Sequence, residues 1–550
     1  MKLVAALGLL LLVKDVVNGV KIDPALMPIL EPFPLTLRSE IAETYYPILI
    51  TFVENVSIKE KLFVSRAEQA IEIYPMLRDQ NEHAIQNLER EMAEIKHWEP
   101  VRAYAVSNSW LIKGTKEVIK YLASKQGVIA EIHWDRPFKV PQHVVKEQVP
   151  MEGSHAGLQA DQKIEAFLLH EKNRKMEEDA ISEWNIRYMG ASDTWDITTG
   201  TDMIYASADT GVEWTHPILA PRYVANLWYP QGPIRHDYAW WDGIRSEGTF
   251  KALQVENGAG MRGKQLENNK KSFGCPPNGK EPCDDCGHGT HTTSTAVGKQ
   301  SQIFSSGTGG YGVAPGAYWM ACRNMDNGVG STSTYLNCLE FFLAPTDLER
   351  PHVIGNSYGC PQETEGCASW AFNKAISALR AAGIVMVASA GNTGPKCGSI
   401  SAPPSYEPEV ISVGATQYYS DEIAPFSSRG LPAIYLRMSS SMHRFKPDIV
   451  APGVVIRGAY KNGSYMTLSG TSMAAPHVAG AILLISAACP HLARNVIEIE
   501  KLILRTTKKL YVTCKDMLCG SEAIGQHPNS IYGHGILSVE HAVQACLSLD

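Results

Sequence analysis

Three short segments carry side chains whose types fit one reaction. Ala208-Asp209-Thr210-Gly211-Val212 closes an apolar run and sets a carboxylate at the end of an expected parallel strand. Gly287-His288-Gly289-Thr290-His291 supplies two imidazoles three residues apart. Ser469-Gly470-Thr471-Ser472-Met473-Ala474-Ala475-Pro476 puts a serine at the head of an apolar helix, with proline in the first turn, where its missing N–H does no harm. Each segment has a plainer use. Asp209 could be a turn residue and Ser472 a helix cap. Cys283, Cys286, His288 and His291 could bind zinc, although the histidine spacing is not the i, i+4 pair of zinc helices. Cys275, Cys283 and Cys286 read more simply as disulfide partners. Together the segments fit acyl transfer. A serine hydroxyl needs a base to take its proton, and the base needs an orienting acid. The free N–H groups and positive end of a helix suit the oxyanion that the attack creates.

The order Asp, His, Ser, with the run Gly470-Thr471-Ser472-Met473-Ala474-Ala475-Pro476-His477-Val478-Ala479-Gly480, resembles the subtilisin-like serine proteases, the subtilases. The resemblance covers about 183–550 and implies roles. Ser472 is the nucleophile, His288 the general base and Asp209 its orienting acid. Asn392, in Ala390-Gly391-Asn392, donates to the oxyanion. Ser357, Tyr358 and Gly359, in Asn356-Ser357-Tyr358-Gly359, pair with an extended substrate. Gly312–Ala317 and Ala321–Gly328 are similar to the bacillopeptidase F branch of that family. His216, His291 and His477 belong to the motifs and are expected to serve packing or hydrogen bonding. Ser405 is expected near the pocket for the residue before the cut. No Asp stands there, and Glu407 is close, so a strict basic preference is not indicated. Catalysis needs no cofactor or metal. Structural calcium is common in the family, with ligands the sequence does not place. Two departures stand out: His288 lies 79 positions after Asp209, implying an insertion near 244–286, and Thr293-Ser294 replace the usual Ala-Gly.

The elements that must position these residues read as an α/β fold. Apolar runs at Met203–Ala208, Ala317–Cys322, His352–Ile354, Ile384–Ala388 and Val410–Val413 alternate with helical segments, as in a mostly parallel sheet between helix layers. This is the subtilisin-like three-layer domain of 183–550. Ahead of it, 41–137 has no cysteine and follows the order β-α-β-β-α-β of a small α+β ferredoxin-like unit, its first helix broken at Pro75. At the level of pattern it resembles the family's inhibitory pro-domain. Between them, 138–182 is a polar linker with the basic cluster Lys172–Lys175, expected to hold the processing site. Residues 1–19 read as a signal peptide, with Leu3–Val13 as the apolar core.

Composition limits the alternatives. The chain has 550 residues, 44% hydrophobic and 19% charged, which excludes a disordered or collagen-like protein. A net charge of −7 gives no basic face for nucleic acid and no polybasic membrane anchor. All twelve cysteines lie from Cys275 onward, and with the signal they imply an oxidising compartment and disulfides. The expectation is a secreted monomeric endopeptidase, made as a zymogen, acting on protein or peptide substrates in extended form and held by its own pro-domain. The alternatives are a catalytically silent relative that binds peptides and a zinc hydrolase.

Overall fold

A computed structural model describes residues 16–17, 20–30, 45–53, 66–135, 138–139, 182–231, 233–245, 275–276, 279–299, 311–343, 350–359, 367, 369–431, 445–513, 519 and 523–549. Leu3–Val13, Lys172–Lys175, most of the expected linker and insertion, Cys360 and Cys514 lie outside them.

The N-terminal unit is a six-stranded sheet. Its strands are β1 (Val16–Val17), β2 (Val20–Ile22), β3 (Tyr46–Phe52), β4 (Trp98–Tyr104), β5 (Ser109–Gly114) and β6 (Ile129–Trp134), in the order β1-β2-β6-β3-β5-β4. Helices α1 (Arg66–Glu91) and α2 (Lys116–Ala123) complete it. Alternation along β3 explains its place. Ile48, Ile50 and Phe52 join the unit's own core with Leu88, Val118 and Leu122. Leu49 points the other way and shares the large core of the second unit. Two features differ from the sequence reading. The sheet takes in residues ahead of 41: Val20, Ile22 and Leu26 are buried in its core, and β2 pairs in parallel with β6. The helix also runs through Pro75 unbroken. Proline costs one backbone bond and some strain, but Tyr74 and Leu77 on either side of it are buried against the second unit, and that packing outweighs the local preference.

The second unit is built on seven strands. They are β8 (Ile204–Asp209), β9 (Trp240–Asp242), β10 (Tyr318–Arg323), β12 (Val353–Asn356), β13 (Val385–Ser389), β14 (Ile411–Thr416) and β15 (Ile449–Pro452); two further short strands, β7 (Phe138–Lys139) and β11 (Val329–Gly330), pair with each other. The order is β15-β14-β13-β12-β8-β10-β9, with every neighbouring pair parallel. This is the α/β sheet expected, and five strands coincide with the apolar runs. β9, β15 and the antiparallel pair β16 (Ile456–Tyr460) and β17 (Ser464–Leu468) were not read from periodicity. Helices α3 (His288–Val297), α4 (Thr332–Leu343), α5 (Ser369–Ala381), α6 (Thr471–Ala488), α7 (Val496–Arg505) and α8 (Val539–Leu547) cover the sheet. The strand order turns at β8, which lies between β10 and β12, so a crevice opens beyond its carboxyl end.

Helix α6 is the central column. Among the described helices it alone is long and apolar enough to cross a membrane, and 89% of it is buried, so its apolarity serves the core. Disulfides staple the outer layers: Cys322 on β10 to Cys338 on α4, and Cys489 after α6 to Cys546 on α8. Cys275–Cys283 and Cys397–Cys519 tie loops. Cys286 is a free thiol, so the expected pairing holds for Cys275 and Cys283 and fails for Cys286.

Leu483 in α6 has no exposed surface. Leu483→Ala leaves a cavity its neighbours cannot fill, and about 2–5 kcal/mol of stability is lost. Denaturant unfolding monitored by tryptophan fluorescence measures the loss, and a change within 0.5 kcal/mol would contradict the column's role.

Candidate active site

Asp209 ends β8 at the point where the strand order turns, and it is 1% exposed. An ionised carboxylate so placed must be answered by donors. Oδ1 accepts the Thr210 N–H at 2.7 Å and His288 Nδ1–H at 2.8 Å, and Oδ2 accepts the Thr292 hydroxyl at 3.4 Å. Those donors come from the strand end and from the first turns of α3.

The two glycines beside His288 let that helix approach. A Cβ on Gly289 would lie 2.1 Å from the Gly211 carbonyl, so only glycine allows α3 to press on the strand end. Gly287 caps the helix at φ +93°, a conformation open to glycine. The start of α3 is braced by Asp284. Its carboxylate accepts from the Gly287 and Thr290 N–H groups at 2.7 and 2.9 Å and from the Thr290 and Thr210 hydroxyls at 2.6 and 2.9 Å. One acid thus joins the helix start to the strand end. In the sequence Asp284 stands between Cys283 and Cys286, the cysteines weighed above for zinc or disulfides. An acid just ahead of a helix start, a capping signal, could have found it.

Ser472 sits in the first turn of α6 and is 3% exposed. Its hydroxyl donates to the Ser357 carbonyl at 3.1 Å, and its own carbonyl accepts from the Ser357 hydroxyl at 3.0 Å. His288 Nε2 is buried and has no hydrogen-bond partner. The structure therefore joins Asp209 to His288 directly and Ser472 to Ser357. Asn392 Oδ1 accepts from the N–H and hydroxyl of Thr471, both at 2.9 Å, which leaves its amide N–H₂ as the donor on the Gly470 side. Tyr358 is buried, stacked on Tyr335 with ring centroids 4.1 Å apart, and donates its hydroxyl to Asn356. Gly359 is half-buried at the end of this segment.

A second edge was missed. After β10 the chain turns at Asp326-Asn327-Gly328-Val329, with Asn327 at φ 49° and Gly328 at φ 74°, the geometry of a two-residue hairpin. The Asn-Gly pair is its sequence signal. Strand β11 follows, and β7 lies on it antiparallel, Val329 opposite Lys139 and Gly330 opposite Phe138. The chain just after the N-terminal sheet is thus laid on this edge as an added strand.

The remaining histidines have structural partners. His291 Nε2–H donates to the carbonyls of Ile456 and Met466, both at 3.1 Å. His477 Nδ1–H donates to the Met473 carbonyl at 2.8 Å, and Asn185 donates to its Nε2. Burial pushes His291 down to about 4 and His477 to about 3, so both stay neutral. His216 meets the Ser464 carbonyl at 3.0 Å. These contacts, with Cys283 in a disulfide, take apart the set weighed as the zinc alternative. Among the described residues no group of three or more His, Cys, Asp and Glu side chains is arranged to hold a metal ion. Ser405 and Glu407 are both buried, and the Ser405 hydroxyl donates to the Ala402 carbonyl at 3.1 Å.

Residues 200–535 match the model described as the Subtilase family. Three curated relatives illustrate the likeness. Bacillopeptidase F of Bacillus subtilis (strain 168) is 32% identical over 380 residues, 66% of this chain and 22% of the relative. Thermophilic serine proteinase of Bacillus sp. (strain AK1) is 33% identical over 289 residues, 51% of this chain and 62% of the relative. Subtilisin Savinase of Lederbergia lenta is 30% identical over 262 residues, 48% of this chain and 79% of the relative. The chain therefore spans less than two thirds of the first two.

Burial alone would lower the pKa of His288, but the charge of Asp209 and its hydrogen bond outweigh this and hold it above 6.5. Asp209→Asn leaves burial to act without the charge, so the His288 titration moves down. Imidazole NMR titration reads this directly, and an unmoved midpoint would mean that Asp209 does not control the ring.

Proposed function

This chain belongs to the subtilase family, and on that premise we propose that it is a serine-type endopeptidase with Asp209, His288 and Ser472 as its triad. The carrying observation is the buried Asp209–His288 hydrogen bond at the end of β8, with Ser472 in the first turn of α6 bonded to Ser357 just after the neighbouring strand β12. In this reading Ser472 attacks the scissile carbonyl while His288 Nε2 takes its proton and later passes it to the leaving amine. Asp209 holds the Nδ1–H tautomer and stabilises the imidazolium. The Asn392 amide and the backbone N–H of Ser472 receive the oxyanion. The substrate lies extended between the segment Ser357, Tyr358, Gly359 and the edge Val329–Gly330. Catalysis needs no cofactor, as in the family.

The chain is made as a zymogen and secreted. Residues 1–19 are the signal; it overlaps edge strand β1 (Val16–Val17), so its removal leaves β2 as the edge of the N-terminal sheet. The N-terminal unit, expected at 41–137 and here joined by Val20–Leu26, is the inhibitor; 138–182 is the linker with the processing site, and 183–550 is the protease. Contacts between the units support this. β7 occupies the edge where a substrate would lie. Asp135 accepts from the Ser333 N–H at 3.0 Å and its hydroxyl at 2.6 Å, at the start of α4. Glu340 on α4 answers by accepting from the Tyr74 hydroxyl at 2.6 Å and the Val106 N–H at 2.8 Å. Each unit thus supplies a carboxylate to orphan N–H groups of the other. A tethered inhibitor works at high effective concentration, so these few contacts suffice until the linker is cut.

Three outcomes test the reading. Wild-type processed protein is labelled at Ser472 by a fluorophosphonate; folded protein that takes no label is the silent relative instead. Ser472→Ala expressed from the full chain stays near full length on a gel, and normal processing of this variant assigns the cut to another protease. Asn392→Ala lowers kcat by roughly 10²–10³ with little change in KM, read by steady-state hydrolysis of a peptide anilide.

A further inference from the structure

The acidic pair Asp284-Asp285 ahead of His288 faces two ways. Asp284 braces the helix start, as described above. Asp285 turns to the opposite side and meets Arg323, the last residue of β10, whose side chain has no exposed surface. Arg323 Nη2 donates to Asp285 Oδ2 at 2.5 Å and also to Asp326 Oδ1. Its Nη1 donates to both oxygens of Asp242 at 3.1 and 3.2 Å, fixing the guanidinium from β9. Asp285 Oδ2 accepts in addition from the Asn327 N–H at 3.1 Å, within the hairpin that leads into β11. One guanidinium therefore joins three separate pieces of chain: the turn carrying His288, the floor strand β9, and the hairpin beside the substrate edge. Burial pushes the Asp285 carboxyl up to about 6 against the pull of Arg323, a sign of how dry this junction is.

Resting on the protease reading, we propose that Arg323 is a positioning residue of the reaction: through Asp285 and Asp326 it sets the place of the Val329–Gly330 edge relative to the turn that carries His288. A planar fork that binds three carboxylates at fixed angles suits this task, and a lysine point charge does not. A peptide aligned by the edge is then presented to an imidazole held by the same cluster. Misplacement by even an ångström is costly in such a reaction.

The test uses processed protein from the full chain and two substrates. One is a peptide anilide long enough to lie along Val329–Gly330; the other is a single acylated residue on the same leaving group. Wild-type protein that hydrolyses neither sinks the protease reading itself, before any variant is made. Asp326, with 39% of its side chain exposed, is the safest position to change. Asp326→Asn raises KM for the long substrate about fivefold or more, holds kcat, and leaves the short substrate's KM in place. Equal factors on both substrates, or no change on either, overturn the proposal. Arg323→Met frees the His288 turn as well, so kcat falls on both substrates, and Arg323→Lys recovers only part of the loss. Arg323→Met that folds to the wild-type melting temperature with wild-type kcat and KM also overturns it. If Arg323→Met does not accumulate, Asp326→Asn and Arg323→Lys decide the question by the same long-to-short ratio.

Discussion

The site depends on one carboxylate held almost without water. Asp209 ends β8, the strand of a seven-stranded parallel sheet at which the strand order turns, and is 1% exposed. Leaving a buried charge unanswered is far costlier than any single packing contact, so the surrounding chain is arranged to supply donors. The Thr210 N–H comes from the strand end, and the His288 imidazole and Thr292 hydroxyl come from α3. For α3 to reach the strand end, Gly289 must have no side chain. For its first turn to stay in place, Asp284 must bind its N–H groups. The histidine that a protease needs is therefore also part of the cost of burying the aspartate.

Parallel sheets with helices on both faces leave their openings at the carboxyl ends of strands. Here the loops from those ends include the segment after β12, to which Ser472 in the first turn of α6 is bonded through Ser357, and the hairpin after β10. The hairpin edge already holds β7. The N-terminal unit thus does with its own chain what the proposed substrate does, and it is steadied by carboxylates exchanged at α4. Its strand β3 is buried on both faces, one in the unit's own core and one in the core of the other unit, as the alternation of Ile48, Leu49 and Ile50 records.

Much of this was legible in the sequence. The five apolar runs became strands because a parallel strand buried on both faces must be apolar throughout. The order of elements in the N-terminal unit was readable by a different signal, periods of two and of 3.6. What failed was local reasoning where a distant partner decides. Pro75 reads as a helix break, yet Tyr74 and Leu77 are packed against the second unit and carry the helix through it. Cys286 reads as a disulfide half, yet Cys275 and Cys283 pair without it. β9, three residues long, is too short to show a period, and β15 is hidden in a proline-bounded run.

The amino-acid sequence by itself determined the chemistry available: an aspartate, a histidine and a serine in segments whose glycines, small residues and flanking apolar runs admit few other folds. Those are properties of side-chain type and short-range spacing, which a chain carries wherever it goes. Only the tertiary structure decided which atoms meet. It brought Asp209 to His288 Nδ1, turned the Ser472 hydroxyl to Ser357, laid β7 on β11, and closed Arg323 on three aspartates drawn from β9, the His288 turn and the hairpin. Each of those contacts spans residues far apart in the chain or depends on the angle at which two elements cross. Burial then fixes their strength, because a charge pair gains its force from the water that folding removes.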